Sequence, residues 1–210
     1  MKKSIRIACP ILILALLSGC NSLYGFQGKQ KVKAEYKPNG RKMLILPFKD
    51  PAFDYFESAE GSIIAESAGA YIQKNDITPA QYGGFLPRSV QTAFEQNKAV
   101  LGDALEAVAD CTDCDLVLVG QIETLTLSNP RDVGILRGRM ALSAQLFEVT
   151  DEPKLVWAMP RKQISYPEGR EYESGVPILD MPQIVLKVRM LNLAGEKIGK
   201  AFHDHLEDIE

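Results

Sequence analysis

Cys111-Thr112-Asp113-Cys114 has the most obvious chemical potential in the chain, because two thiols three positions apart can pair, exchange or bind a metal. Each option places a demand on its surroundings. A redox pair sits at a helix N-terminus, where the dipole lowers the thiol pKa. Here the pair follows a helical stretch and is flanked by Asp110, Asp113 and Asp115, which disfavour a thiolate. A zinc site would need two further ligands, and the only histidines, His203 and His205, lie in the C-terminal tail. No metal site is therefore expected. What remains is a local disulfide between Cys111 and Cys114 in an oxidising compartment, or two inert thiols. For so short a loop the disulfide would stabilise by about 2 kcal/mol at most.

Other chemistries find less support. The chain contains no G-x-S-x-G, no phosphate-binding glycine loop and no H-E-x-x-H. A Ser-His-Asp arrangement would have to use a tail histidine with no core to hold its geometry. Carboxylates are plentiful but patternless, as on a solvated surface. The expectation is a protein that is not an enzyme and carries no cofactor. Arg137 and Arg139 occupy the polar face of a strand, with Arg131, Arg161 and Lys162 expected nearby in the fold. They are either solvent-facing strand residues or a basic docking patch for a partner or polymer.

The stretch Ile7 to Cys20 has a different kind of chemistry. Lys2, Lys3 and Arg6 precede an apolar run from Ile7 to Leu17, and Ser18-Gly19 are small residues of the kind that precede a cleavage point. The run is 11 residues, whereas a membrane-crossing helix needs about 20. Leu17-Ser18-Gly19-Cys20 resembles the lipobox of bacterial lipoproteins. That resemblance implies diacylglycerol on the Cys20 thiol, removal of residues 1–19, and acylation of the new amino group. Stable anchoring takes more than one acyl chain, and this modification supplies it. Asn21, rather than Asp, follows the cysteine; by the same resemblance the protein is expected at the outer membrane, facing the periplasm.

Charge divides the rest. Between Asn21 and Gly40 four lysines face Glu35 alone, and glycines with Pro38 break any periodicity, so residues 20–40 read as a flexible tether. Extended, the 20 residues from Asn21 to Gly40 would reach about 65 Å. From Arg41 onward 17 Lys and Arg meet 26 Asp and Glu, a net charge of −9. An acidic domain on a basic stalk is a poor nucleic-acid binder, since phosphate contacts need clustered cations. With residues 1–19 removed, 191 remain, enough for one domain with a core.

The elements that must position these residues follow in order. Arg41 to Phe48 is apolar on both faces, as in a covered central strand. Ala59 to Asn75 places Ile64, Ala68, Tyr71 and Ile72 on one helical face. Thr78 to Pro87 reads as a loop, and two short helices are expected around Val90–Phe94 and Leu101–Val108. Asp115 to Leu127 is the strongest strand, with a bulge expected at Gly120. Leu136 to Leu146 alternates, Thr150 to Pro153 turns, and Lys154 returns as a strand to Ile164. Glu168 to Val176 reads as a loop. Asp180 is the expected N-cap of a last helix, with Gln183 in the capping-box position and Ile184, Val188, Leu191, Ile198 and Phe202 on its apolar face. The tail from His203 is expected to fray. The fold class is a single-domain α/β protein over residues 41–210: a mixed sheet of about four strands packed by three to four helices.

A Leu-Ile-Leu-Pro-Phe strand (Leu44–Phe48), a helix, the Asp-Leu-Val-Leu-Val-Gly strand (Asp115–Gly120), two meander strands with Trp157 in the second, and a final helix together resemble an envelope-lipoprotein superfamily. It contains the curli-secretion lipoproteins and the lipoprotein activators of penicillin-binding proteins. The resemblance implies an anticodon-binding-like domain and a role in binding another envelope protein or a further copy. Thr78–Pro87 departs from that pattern, where a clean second strand would be expected. No membrane-inserting hairpin is evident either, which argues against a pore.

Two functions follow: an interaction module for another envelope component, or a small-ligand or glycan-binding lipoprotein. The second would use Tyr82, Phe85, Tyr166 and Tyr172 in the loops Thr78–Pro87 and Tyr166–Val176. If the lipid anchors the chain, Cys20→Ala moves the protein from the membrane to the soluble fraction of fractionated cells. Persistence of that variant in the membrane pellet would rule out the anchor.

Overall fold

A computed structural model describes residues 29–50, 58–82, 113–127, 134–150, 153–169, 175–177 and 181–208. Cys20, Cys111, the two short helices expected between residues 90 and 108, and the expected N-cap Asp180 lie outside them. The described strands are β1 (Lys29–Val32), β2 (Met43–Ile45), β3 (Ala80–Tyr82), β4 (Leu116–Thr126), β5 (Ile135–Leu136), β6 (Gly138–Glu148), β7 (Lys154–Tyr166), β8 (Val176–Pro177) and β9 (His205–Asp208). The described helices are α1 (Ala59–Lys74) and α2 (Gln183–Lys200).

The chain divides into two units. The larger, Val32–His205, is an α/β domain built on a five-stranded mixed sheet in the order β3-β2-β4-β6-β7. β3, β2 and β4 run parallel, and β6 and β7 continue as an antiparallel meander. A two-stranded ladder of β5 and β8 lies within the same unit. The smaller unit contains most of a second ladder, β1 with β9.

Sheet and helices share one apolar core. Met43, Ile45, Leu116, Leu118, Ile122, Met140, Leu142 and Ala144 form it from the sheet; Ile64, Ala68 and Ile72 of α1 and Met190, Leu191, Ala194 and Ile198 of α2 cover them. Leu44, Leu46, Val117, Val119 and Ala141 are buried as well, and Leu44 and Val117, being register partners one residue out of phase with the core, belong to the opposite face. This two-sided burial is why the strand at Arg41–Phe48 reads as a continuous apolar run.

The helices lie side by side and parallel: Glu60 pairs with Lys187 near their starts, Ser67 Oγ donates to the Asn192 carbonyl at 2.7 Å midway, and Tyr71 packs on Gly199 near their ends. Close approach needs bare backbone. A Cβ at Gly195 would lie 2.5 Å from the Ile64 carbonyl oxygen, and one at Gly61 would lie 1.9 Å from that of Phe48. Ser58 caps α1 by accepting a hydrogen bond from the Gly61 N–H at 3.0 Å. The Lys187 ammonium, hydrogen-bonded to Glu60, holds that carboxyl below the usual range against the opposing effect of burial.

Several expectations change. Residues 80–82, expected in a loop, form β3; the strand is three residues long and is defined by backbone pairing with β2, which leaves no side-chain alternation to read. Gly120 is not a bulge: it pairs in register with Ala144, and the ladder slips between Ile122 and Thr124. Gly120 is small because the Phe48 ring fills its side-chain space, with Cε1 only 2.0 Å from where a Cβ would stand. Pro182, not Asp180, is the N-cap of α2, and no side chain caps that end, so the capping box does not form. Ile184 is 63% exposed in the first turn, and Leu186 is the first side chain of α2 to be buried.

The tether expected through residue 40 is docked over its last part. Ala201, just past α2, accepts hydrogen bonds from the Glu35 and Tyr36 N–H groups at 2.8 and 3.2 Å. Glu35 also accepts from the Trp157 indole at 2.9 Å, and the Tyr36 ring stands edge-on to Phe202 at 6.5 Å. Arg41 pairs with Glu148 at 2.6 Å while lying over the Tyr36 ring. The tail, expected to fray, contains β9 instead.

Gly120→Ala drives a methyl into the Phe48 ring and is expected to destabilise the domain by roughly 1–3 kcal/mol, read as a lower denaturant midpoint. Phe48→Leu in the same chain should recover part of that loss. Additive losses from the two substitutions would show that ring and glycine are not coupled.

Candidate functional site

The docking patch expected from sequence is dispersed in part. Arg139 lies in β6 opposite Thr126 of β4 and Ser165 of β7, and Arg137 immediately precedes the strand. Arg161 pairs instead with Glu123 at 3.1 Å. It also stands four residues along β7 from Ser165, about 13 Å at 3.3 Å per residue. Lys162 is exposed opposite Leu142, and Arg131 lies outside the described residues. Arg137 and Arg139 remain together.

A third arginine reaches the same corner from the helix-covered face. Gly138, between Arg137 and Arg139, lies beneath Leu186 and Met190; a Cβ there would meet the Met190 sulfur at 2.6 Å. Gly138 is the register partner of Tyr166 at the end of β7. The Tyr166 hydroxyl accepts a hydrogen bond from Arg189 Nη1 at 3.3 Å. The start of β6, the end of β7 and the first turns of α2 therefore meet at one corner of the sheet. Alternation puts Arg139 on the face away from the buried Gly138 and Met140, whereas Arg189 approaches from the helix side. Between them the arginines bracket the end of an edge strand. Ile184 and Val185, 63% and 38% exposed, open the helix at the same corner.

Arginine and aromatic side chains are enriched at protein interfaces relative to the rest of the surface. Sequence reading missed Arg189, because a lone exposed arginine on an amphipathic helix carries no local signal. Only the pairing of Gly138 with Tyr166 brings it to Arg137 and Arg139.

The tyrosines of the ligand-binding alternative do not converge where they are described. Tyr82 lies in β3 and Tyr166 in β7, the opposite edges of the five-stranded sheet. Four inter-strand steps separate them, about 19 Å. Tyr82 is also engaged, its ring filling the space beside Gly69 of α1. Phe85 and Tyr172 lie outside the described residues.

Cys114 is half-buried two residues before β4. Its neighbours Asp113 and Asp115 both act on Lys42: Asp113 pairs with the ammonium, and Asp115 accepts from the backbone N–H at 2.7 Å. These carboxylates tie the entry of β4 to that of β2. Among the described residues, no group of three or more His, Cys, Asp or Glu is arranged to hold a metal ion, and no helix is long and apolar enough to cross a membrane.

No known family model matches the chain, and no curated protein matches it. Solved structures are similar in chain course. One is the hypothetical protein CT253 from Chlamydia trachomatis, with a TM-score of 0.46 and 11% identity over 77% of this chain and 96% of that one. Another is the lipoprotein GNA1162 from Neisseria meningitidis, with a TM-score of 0.43 and 14% identity over 62% and 85%. A third is the LpoB C-terminal domain from Salmonella enterica, with a TM-score of 0.36 and 14% identity over 71% and 93%. Identities this low carry no residue's role across to this chain.

Proposed function

We propose that this chain is a non-enzymatic, lipid-anchored interaction module of the bacterial envelope. Cys20 holds it to the outer membrane from the periplasmic side, and the folded domain docks a partner protein through the corner formed by Arg137, Arg139, Arg189, Tyr166 and Ile184. One observation carries the docking assignment: the Arg189–Tyr166 hydrogen bond and the Gly138–Tyr166 register bring Arg189 to the sheet corner where Arg137 and Arg139 flank Gly138, in a domain of net charge −9 from Arg41 onward. Basic groups on an acidic domain favour an acidic partner surface and steer its approach. The Leu17–Cys20 stretch supports the anchor.

A photo-crosslinking residue at position 184, introduced into intact cells, should capture one specific envelope protein. Arg137→Glu, Arg139→Glu and Arg189→Glu combined should lower that capture about tenfold, since reversed charges act mainly on association. A crosslinker at Lys74, near the end of α1, should capture little. Equal capture from both positions, or capture unaffected by the reversal, would remove the corner from the assignment. Capture of only a second copy would replace partner docking with self-assembly.

A further inference from the structure

Both histidines of the chain lie just past α2, His203 in the turn and His205 at the start of β9. Their rings stack at 5.6 Å with planes 19° apart. Tyr71 of α1 closes the other side, its ring 72° to that of His203 at 5.5 Å and its hydroxyl 3.5 Å from His203 Nε2. His203 Nδ1 is buried with no hydrogen-bond partner. A neutral imidazole tolerates that position at modest cost, because its unprotonated nitrogen needs no acceptor. An imidazolium would bury an N–H donor that makes no hydrogen bond here, with the nearby Lys200 carbonyl giving only partial relief.

The surrounding charges give little relief. From α1, Tyr71 faces the ring, its phenol pushed up by burial, with Lys200 opposing and Glu196 adding to that shift. From α2 come Lys200 and Glu196, which pair with each other at 2.9 Å. From the turn and the start of β9 come Asp204 and His205. Asp204 is already engaged with the docked end of the tether (the leader), accepting from the Ala34 N–H at 3.0 Å and pairing with Lys37 at 3.3 Å. Burial is the largest influence holding His203 below the ordinary histidine range, and the His205 charge adds to it; Asp204 and the hydrogen bond with Lys200 oppose them.

The same turn holds the docked leader. Ala201 and Asp204 receive its hydrogen bonds, and Phe202, at the centre of the turn, packs between Tyr36 and Trp157. We infer that His203 is an acid-sensitive latch: neutral, it closes the turn against Tyr71 and keeps Ala34–Arg41 docked, and on protonation it leaves its site and releases that segment.

The sign follows from linkage. The closed state disfavours the proton, so its stability is full above the released state's ordinary histidine pKa of about 6.5 and falls as the pH drops below it. One proton limits the change to tenfold in the closed-to-released ratio per pH unit.

Trp157, the only tryptophan, reports the event because its indole donates to Glu35 of the leader. The full chain in detergent micelles, titrated from pH 8 to pH 5, should show a change in Trp157 emission. That change should be lost in His203→Phe and retained in His205→Gln and Glu35→Gln. In the unmodified protein two histidine ring signals are available by NMR, assigned by the one that His205→Gln removes. The His203 signal should titrate at the same midpoint as the emission. Emission that stays flat to pH 5, a transition that survives in His203→Phe, or a His203 midpoint apart from the emission midpoint would each overturn the latch. The last comparison needs no variant at position 203 to fold.

Discussion

Phe48 is the residue on which the layers of this domain are set. It is fully buried at the end of the β2 segment, its ring in the space that Gly120 leaves open and its carbonyl against Gly61. Its N–H donates to the Gly61 carbonyl at 3.2 Å. One residue thus fixes the distance from β2 to α1 and from both to β4. The approach is too close for any side chain at either glycine, so the constraint is steric before it is energetic. Once α1 is seated, Gly195 and Gly199 let α2 lie directly against it. With α2 placed, Leu186 and Met190 close over Gly138, and that contact brings Arg189 to the corner with Arg137 and Arg139.

The second ordering contact lies at the other end of the helices, where an aromatic group made of Tyr36, Trp157 and Phe202 joins the leader to the end of α2. Phe202 stands 5.0 Å from Trp157 and 6.5 Å from Tyr36, each pair inclined. Such inclined contacts add to area burial by about 0.5–1.5 kcal/mol each. The charged members around them, exposed Glu35 on the indole and half-exposed Arg41 on Glu148, act chiefly as orientation.

Much of the fold could be read from the sequence because periodicity registers which side of an element is buried. The meander at Leu116–Tyr166, the Ala59–Lys74 helix and the body of α2 were all legible for that reason. Periodicity does not locate an interruption within a strand, so the phase shift in β4 was visible while its position was misplaced from Glu123 to Gly120. Nor does it detect segments held by backbone and by isolated rings. The leader at 33–38 and the strand β9 are polar and aperiodic, and the hydrogen bond from Ala34 to Asp204 spans 170 positions of sequence. At the candidate site Arg137 and Arg139 were legible as a polar strand face, and Arg189 was not. Arg161 carries the same sequence signal but stands farther along β7, beside Glu123.

The strand that the corner brackets is itself irregular. β7 is an edge strand, and its ladder with β6 slips twice, between Leu142 and Ala144 and between Leu146 and Phe147. Pro160 sits at the first slip and offers no N–H to a neighbour. The opposite edge, β3, is only three residues long. Neither border therefore presents a long flat template for another chain to extend. Wherever copies of the chain meet at high local concentration, such borders block open-ended stacking of sheets into fibres while leaving the side chains at the end of the sheet accessible.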